Sequence, residues 1–238
     1  MERQLLAQKL INGGRVLWRS GQADFTSGHI SARLADQPDA FLMKAASMGL
    51  EEMTPENILT VGLDGRVISG TSKIHKEVPI HSEIYRERPD VNCVVHVHPI
   101  HVIAFFSLGL ELKPVSNDGT YFQNRVSIFS ETSDLITARS VGTSMARCLG
   151  ANSVVVLRNH GLVTAGSTIQ EAVWLALRLE RACQIQLLAE GAGGPRHVAS
   201  SEDAAMKAKN ANNDEVHSKI FDYLVRASKR EDEQRGSP

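Results

Sequence analysis

Three histidines fall within six residues in the stretch VVHVHPIH, at His96, His98 and His101, in a chain of 238 residues that has nine in all. His96 and His98 are two apart behind a run of β-branched residues, and alternate residues of a strand point to one face. Two imidazoles on one face offer two nitrogen ligands to one ion, because neutral imidazole is the commonest metal-binding side chain. His160, in RNHGLV, closes a second β-branched run just before a glycine. If the two strands are neighbours in a sheet, the three imidazoles meet. Three histidines with one open position suit a catalytic zinc or a related divalent ion. The competing reading is that these are satisfied polar side chains at strand ends. His101 falls in the helix that follows and is expected to play no direct part.

The elements that must position these residues follow from periodicity and punctuation. Leu5, Leu6, Leu10, Ile11, Val16 and Leu17 recur near helical spacing and predict an amphipathic helix over 2–20. DFTSGHISARL reads as a loop entering a strand. Residues 41–70 read as strand, loop, strand, hairpin and strand, with Asp64-Gly65 as the turn. A helix is expected over 79–88, opening at Pro79, which suits a first helical turn. A short buried strand over 92–98 leads to a helix from Pro99, and a longer helix over 130–150 is ended by Gly150. SVVVLRNHGLVTAG reads as a buried strand, a turn at His160-Gly161 and a further strand. Thr168 and Glu171 have capping-box spacing at the head of the strongest helix, which Gly191 or Gly193 stops. Residues 200–228 are expected to be helical, and 229–238 frayed or disordered. There is no internal repeat and no regular βαβ alternation. The expected class is α/β or α+β, a single domain over 1–228 around a central sheet.

Composition bounds the partners. Contents of 42% hydrophobic and 22% charged residues are ordinary for a globular protein. A formal net charge of -1 gives no electrostatic reason to expect nucleic acid or an anionic membrane as partner. No run approaches the roughly 18 apolar residues of a membrane-spanning helix. The N-terminal stretch carries Glu2, Arg3 and Lys9 where a signal peptide would have an uninterrupted apolar core. Cys93, Cys148 and Cys183 are odd in number and far apart, which suggests neither a disulfide framework nor a CxxC metal site. A reduced, cytoplasmic protein is expected.

The segments HVHPIH and RNHG, with TSGHISAR, RPDVNCVVHVH and NHGLVTAG followed by EAVWLALRLE, stand in the order and spacing of the class II aldolase/adducin family. The chain resembles that family from its first helix to about residue 190. The resemblance implies a three-layer α/β/α fold with a central, mostly antiparallel sheet. It implies one divalent ion per subunit, Zn²⁺ or Mn²⁺ with Fe²⁺ and Co²⁺ also admitted, held by His96, His98 and His160, and no organic cofactor. It also implies a carboxylate 19 residues before the first ligand histidine, acting as metal ligand or general acid/base. That position is Glu77, in SKIHKEVPIHSE, with Glu83 as a competitor. A homo-oligomer is implied as well, typically a tetramer with the site at a subunit boundary.

The chain departs from the family's sugar-phosphate aldolases at the three short motifs that cradle phosphate. The Asn of the first loop is His29, preceded by Ser27 and Gly28. The Thr-Pro-Thr-Gly loop aligns with KAAS, Lys44 to Ser47, and the Ser-Ser pair is His75-Lys76. Larger, often cationic donors suit carboxylates through charge-assisted hydrogen bonds. The substitutions resemble the decarboxylase branch, which acts on dihydroxyphthalates and hydroxypyridine dicarboxylates. The expectation is therefore a carboxy-lyase of a small hydroxylated aromatic or pyridine dicarboxylate. Glu77, or next His29 or His75, would deliver the proton, and the metal would take up negative charge. Ser27, Gly28, Lys44, Ser47 and Lys76 would contact the substrate. Tyr121 and Arg125 are further candidates from 117–125, read as a loop reaching a neighbouring site. An aldolase, epimerase or dehydratase acting on a small sugar or sugar phosphate is the first alternative. A non-catalytic, adducin-like binding module is the second, and retention of the three histidines and Glu77 argues against it.

Overall fold

The computed structural model describes residues 1–236. Its strands are β1 (His29–Arg33), β2 (Ala40–Lys44), β3 (Ile58–Gly62), β4 (Val67–Ser69), β5 (Cys93–Val97), β6 (Ser127–Phe129), β7 (Val154–Leu157) and β8 (Gly161–Gly166). Among the described residues these make one eight-stranded sheet in the order β4-β3-β2-β1-β5-β8-β7-β6. Neighbours are antiparallel except β6 with β7. The helices are α1 (Glu2–Arg19), α2 (Val78–Glu87), α3 (Ile100–Ser107), α4 (Asn117–Phe122), α5 (Arg139–Leu149), α6 (Ile169–Gly191), α7 (Ser201–Ala211) and α8 (Asp214–Gly236).

Period-two alternation divides the apolar residues of the central strands between two cores. Cys93, Val95 and Val97 of β5 join Leu10 and Leu17 of α1 and Leu175 and Leu179 of α6 on one face. Val94 joins Ile80 and Ile84 of α2 and Met145 of α5 on the other. The result is a three-layer α/β/α protein with a mostly antiparallel sheet. In β1, Ile30 and Ala32 enter the first core, so His29 and Ser31 face α2. Register then aligns the chemistry: His29 pairs with His96, and His96 with Val163.

Three elements differ from their expected bounds. The helix expected over 130–150 begins only at Arg139, and the segment before it crosses toward the N-terminus of α2. The helical stretch 200–228 is two helices, because the Asn213 side chain accepts the Val216 N–H at 3.0 Å and starts α8 afresh. The segment expected as a loop over 117–125 contains α4, whose cap Ser116 accepts from the Gly119 N–H. Helix α8 runs through Gly236, into the stretch expected to fray; Ser237 and Pro238 lie outside the described residues. Among the described residues no helix is long and apolar enough to cross a membrane.

Candidate active site

β5 and β8 are adjacent, so the end of one and the turn into the other bring His96, His98 and His160 together. One ligand nitrogen from each lies within 4.8 Å of the others. His96 is fully buried, and its Nδ1 sits 3.1 Å from the Leu162 carbonyl. A carbonyl only accepts, so the proton is on Nδ1 and the Nε2 lone pair faces the site. His98 Nδ1 lies 3.4 Å from Asp24 Oδ2. The turn into β8 is tight: Asn159 has φ +57°, and a Cβ on Gly161 would stand 2.6 Å from His98 Cδ2 and 2.7 Å from the Val97 carbonyl oxygen. Only glycine lets β8 approach the histidines this closely. His101 has other work, because its Nδ1 bonds Glu180 at 2.6 Å, while Glu180 also caps α3 through the His101 and Val102 amides.

Glu77 stands at the N-cap of α2, and its Oε1 accepts from the Ile136 N–H at 2.9 Å. Its carboxylate oxygens lie 3.7 Å from His96 Nε2, 3.7 Å from His160 Nε2 and 3.9 Å from His29 Nε2. These separations are too long for hydrogen bonds. His29 Nε2, His96 Nε2, His98 Nδ1 and both nitrogens of His160 are buried without a hydrogen-bond partner. Buried polar atoms are normally satisfied, and the orphaned Nε2 atoms of His29, His96 and His160 around the Glu77 carboxylate need an explanation. Nitrogen donors with a neighbouring carboxylate fit a divalent zinc- or manganese-type ion. The distances allow two overlapping ligand sets, His96 with His98 and His160, or His96 with His29 and Glu77. Glu83, the competing carboxylate, is instead held by Arg86 at 3.1 Å, Arg139 at 3.2 Å and Thr143 at 2.9 Å.

Burial favours the neutral form of His29, His96 and His98, the form that can ligate. It pushes His29 and His96 well below the ordinary histidine range, with help from His81 and His98 respectively. Burial also lowers His98. His75 is held down to about 4 by burial and then by Lys44. Its ring packs 4.5 Å from that of His29, while its Nε2 donates to the Ala45 carbonyl at 3.1 Å.

Two substrate candidates are not delivered to the pocket. Lys44 is fully buried, and its ammonium donates to the carbonyls of Thr26, Ala45 and Met48. Three donors on three carbonyls leave none for a substrate carboxylate, so Lys44 is a tie between loops. Tyr121 packs 4.9 Å from Trp174 in the core on the opposite face of the sheet, because α4 turns its ring inward, and Arg125 lies over that ring. Ser27, Ser47 and Lys76 are exposed, and Gly28 is buried against Leu50 and Val97. Four residues at the site had drawn no attention in sequence. Ser31, His81 and Tyr85 form a hydrogen-bonded chain behind His29, and Asp24 faces His98. Helical i, i+4 spacing of His81 from Glu77 was a usable signal; Asp24 had none.

Residues 8–187 match the Class II Aldolase and Adducin N-terminal domain. The chain belongs to the class II aldolase and adducin family. Within that family it is 31% identical over 192 residues to the 3,4-dihydroxyphthalate decarboxylase of Arthrobacter keyseri, covering 76% of this chain and 77% of that one. It is 30% identical over 177 residues to decarboxylase NovR of Streptomyces niveus, covering 74% of this chain and 66% of the relative. In three dimensions it resembles L-fuculose 1-phosphate aldolase from Glaciozyma antarctica PI12, with a TM-score of 0.86 and 27% identity over 98% of this chain and 92% of the other. Its class II aldolase-like fold thus has lyases among its relatives.

Proposed function

We propose that this protein is a divalent-metal-dependent decarboxylase of a hydroxylated aromatic or pyridine dicarboxylate. The observation that carries this reading is the convergence of His96, His98 and His160, with the unpartnered Nε2 atoms of His96 and His160 each 3.7 Å from the buried Glu77 carboxylate. Similarity to a dihydroxyphthalate decarboxylase supplies the substrate class. His96, His98 and His160 would hold a divalent ion, which would supply a Lewis acid for negative charge developing on a substrate oxygen.

The chain's own residues do the rest. Glu77, protonated, delivers its proton to the ring carbon that bears the departing carboxylate, with His29 next to it and His75 behind as further acid candidates. A C–H bond forms, the bond to the carboxylate breaks, CO₂ leaves and its bonding electrons stay with the ring. Glu77 is left as a carboxylate and regains its proton from solvent. The Ile136 amide anchors Oε1, which leaves Oε2 as the oxygen turned toward His29. Ser27, Gly28, Ser47 and Lys76 orient the carboxylate that is retained.

The working unit in this reading is a homotetramer in the cytoplasm. Support comes from Phe25, 91% exposed one residue from Asp24, and Ile100, 72% exposed two residues from His98, which leave apolar area beside the site. The three free cysteines suit a reducing compartment. A second reading, an aldolase acting on a hydroxy-carbonyl substrate, is favoured by the close match to a fuculose-phosphate aldolase fold. The two are separated by assaying metal-loaded protein against dihydroxyphthalates, a hydroxypyridine dicarboxylate and a ketose phosphate, with and without chelator. Chelator-sensitive CO₂ release that His160→Ala abolishes is expected. Cleavage of the ketose phosphate without CO₂ would replace this reading with the aldolase.

A further inference from the structure

Behind His29 runs a chain of buried hydrogen bonds. His29 Nδ1 lies 2.6 Å from His81 Nε2, His81 Nδ1 lies 2.6 Å from Ser31 Oγ, and Ser31 Oγ lies 2.7 Å from Tyr85 Oη. All four side chains are sealed from solvent, and the Phe41 ring covers both His81 and Tyr85. The geometry follows from two periodicities. β1 supplies His29 and Ser31 two apart, and α2 supplies His81 and Tyr85 four apart, so one strand face meets one helix face.

Proton counting gives this chain a direction. The Tyr85 phenol has one proton, and its side-chain hydrogen-bond partner is Ser31 Oγ. The other polar group facing that oxygen, the Val94 backbone amide, is itself a donor and cannot take the proton. The phenol therefore donates to Ser31. Ser31 then donates to its remaining partner, His81 Nδ1. With Nδ1 accepting, neutral His81 carries its proton on Nε2 and donates it to His29 Nδ1. Neutral His29 in turn carries its proton on Nε2, the atom that faces Glu77 Oε2 at 3.9 Å and has no partner of its own.

We infer that Tyr85, Ser31 and His81 clamp His29 in the Nε2–H tautomer, so that His29 offers an N–H donor to an oxyanion in the site and not a lone pair to a metal ion. This decides between the two overlapping ligand sets. A protonated nitrogen cannot ligate, which leaves His96, His98 and His160 as the set. Tyr85, Ser31 and His81 are positioning residues that act through His29. The chain is a clamp and not a proton wire, because draining the His29 proton outward would leave Tyr85 as a phenolate in a site whose burial strongly opposes that charge. Only the identity of the oxyanion, a substrate carboxylate, rests on the decarboxylase reading.

The test reads the tautomer directly. Full-length protein with isotope-labelled histidine, loaded with Zn²⁺, is examined by long-range proton–nitrogen spectra, which show which ring nitrogen bears the proton. His29→Asn identifies the His29 signals by their loss. The expected result is a protonated Nε2 and a bare Nδ1 at His29, with zinc content retained in His29→Asn and lost in His160→Ala. Ser31→Ala is expected to convert the His29 pattern to a mixture of tautomers, and Ser31→Thr, which keeps the hydroxyl, to restore it. A proton on His29 Nδ1, or loss of zinc from His29→Asn, overturns the inference, and the wild-type spectrum alone suffices if a variant fails to fold. A protein that shows the expected tautomer but releases no CO₂ from any dicarboxylate would sink the decarboxylase reading and leave the clamp standing.

Discussion

Glu77 draws its significance from its neighbours. A glutamate at the start of a helix is commonplace, but this one has three imidazole nitrogens within 3.9 Å and one oxygen fixed by a backbone amide. Glu77→Gln keeps an acceptor for the Ile136 N–H and removes the transferable proton. Turnover is expected to fall by about 10²–10⁴-fold, the usual range for a positioned acid, with zinc content unchanged; normal turnover would take the acid role away from Glu77. The buried histidines also make stability depend on pH. His75 is held at about 4 by burial and Lys44, and His81 at about 3 by burial and His75, against 6.5 for an ordinary histidine. Between 6.5 and those values the unfolded chain binds protons that the folded chain refuses. Stability is therefore full above 6.5 and falls as the pH drops through that window, by up to ~1.4 kcal/mol per pH unit for each histidine. Urea midpoints of metal-free protein measured from pH 7 to 4 should decline steadily, and less so in His75→Gln. A flat wild-type curve would show that these rings take up protons as easily folded as unfolded.

At the scale of elements, the site depends on how closely β8 and the loops approach β5. Gly161→Ala pushes a methyl group against the His98 ring and the Val97 carbonyl. The expected consequence is a loss of metal affinity of about 10–100-fold, the size of effect seen when ligand orientation is disturbed, read by competition with a chromophoric chelator. Unchanged affinity would mean the strand shifts without cost to the histidines. Lys44 fastens the loops on either side of the pocket. In Lys44→Met the carbonyls of Thr26 and Met48 lose this donor, at about 1–3 kcal/mol for each that stays buried, while Ala45 keeps His75 Nε2; the loss is offset in part by no longer burying an ammonium. A lower melting temperature is expected. An unchanged one would mean that the desolvation of the ammonium cancels its three hydrogen bonds.

For the whole molecule, the sheet order is what turns separate segments into a site. His29, Glu77, His96 and His160 come from β1, the start of α2, β5 and the turn before β8, and strand adjacency in the order β1-β5-β8 brings them to one end of the sheet. The apolar residues Phe25 and Ile100 rim that end. Light scattering is expected to give four times the 26.0 kDa of one chain, with Ile100→Asp shifting the population to smaller species. A monomer of full activity would mean that one subunit completes the site alone.

Most strands and helices were legible in the sequence because local rules create them. Short β-branched runs became β5 and β7, Asp64-Gly65 became the turn between β3 and β4, and Thr168, whose hydroxyl accepts from the Glu171 amide, opens α6. Residue types and spacing also put His96, His98 and His160 at strand ends, and motif order identified the family. The break at Asn213 comes from a local cap on Val216, whereas the late start of α5 and the inward turn of Tyr121 were settled by contacts that no local window contains. The same holds for Lys44, whose charge reads as a substrate anchor until three backbone carbonyls are found around it. The hydrogen-bonded run from Tyr85 to His29 joins residues fifty or more positions apart. Only the packing of α2 on β1 creates it, because a hydrogen bond depends on distance and direction in space, and neither is encoded by separation along the chain.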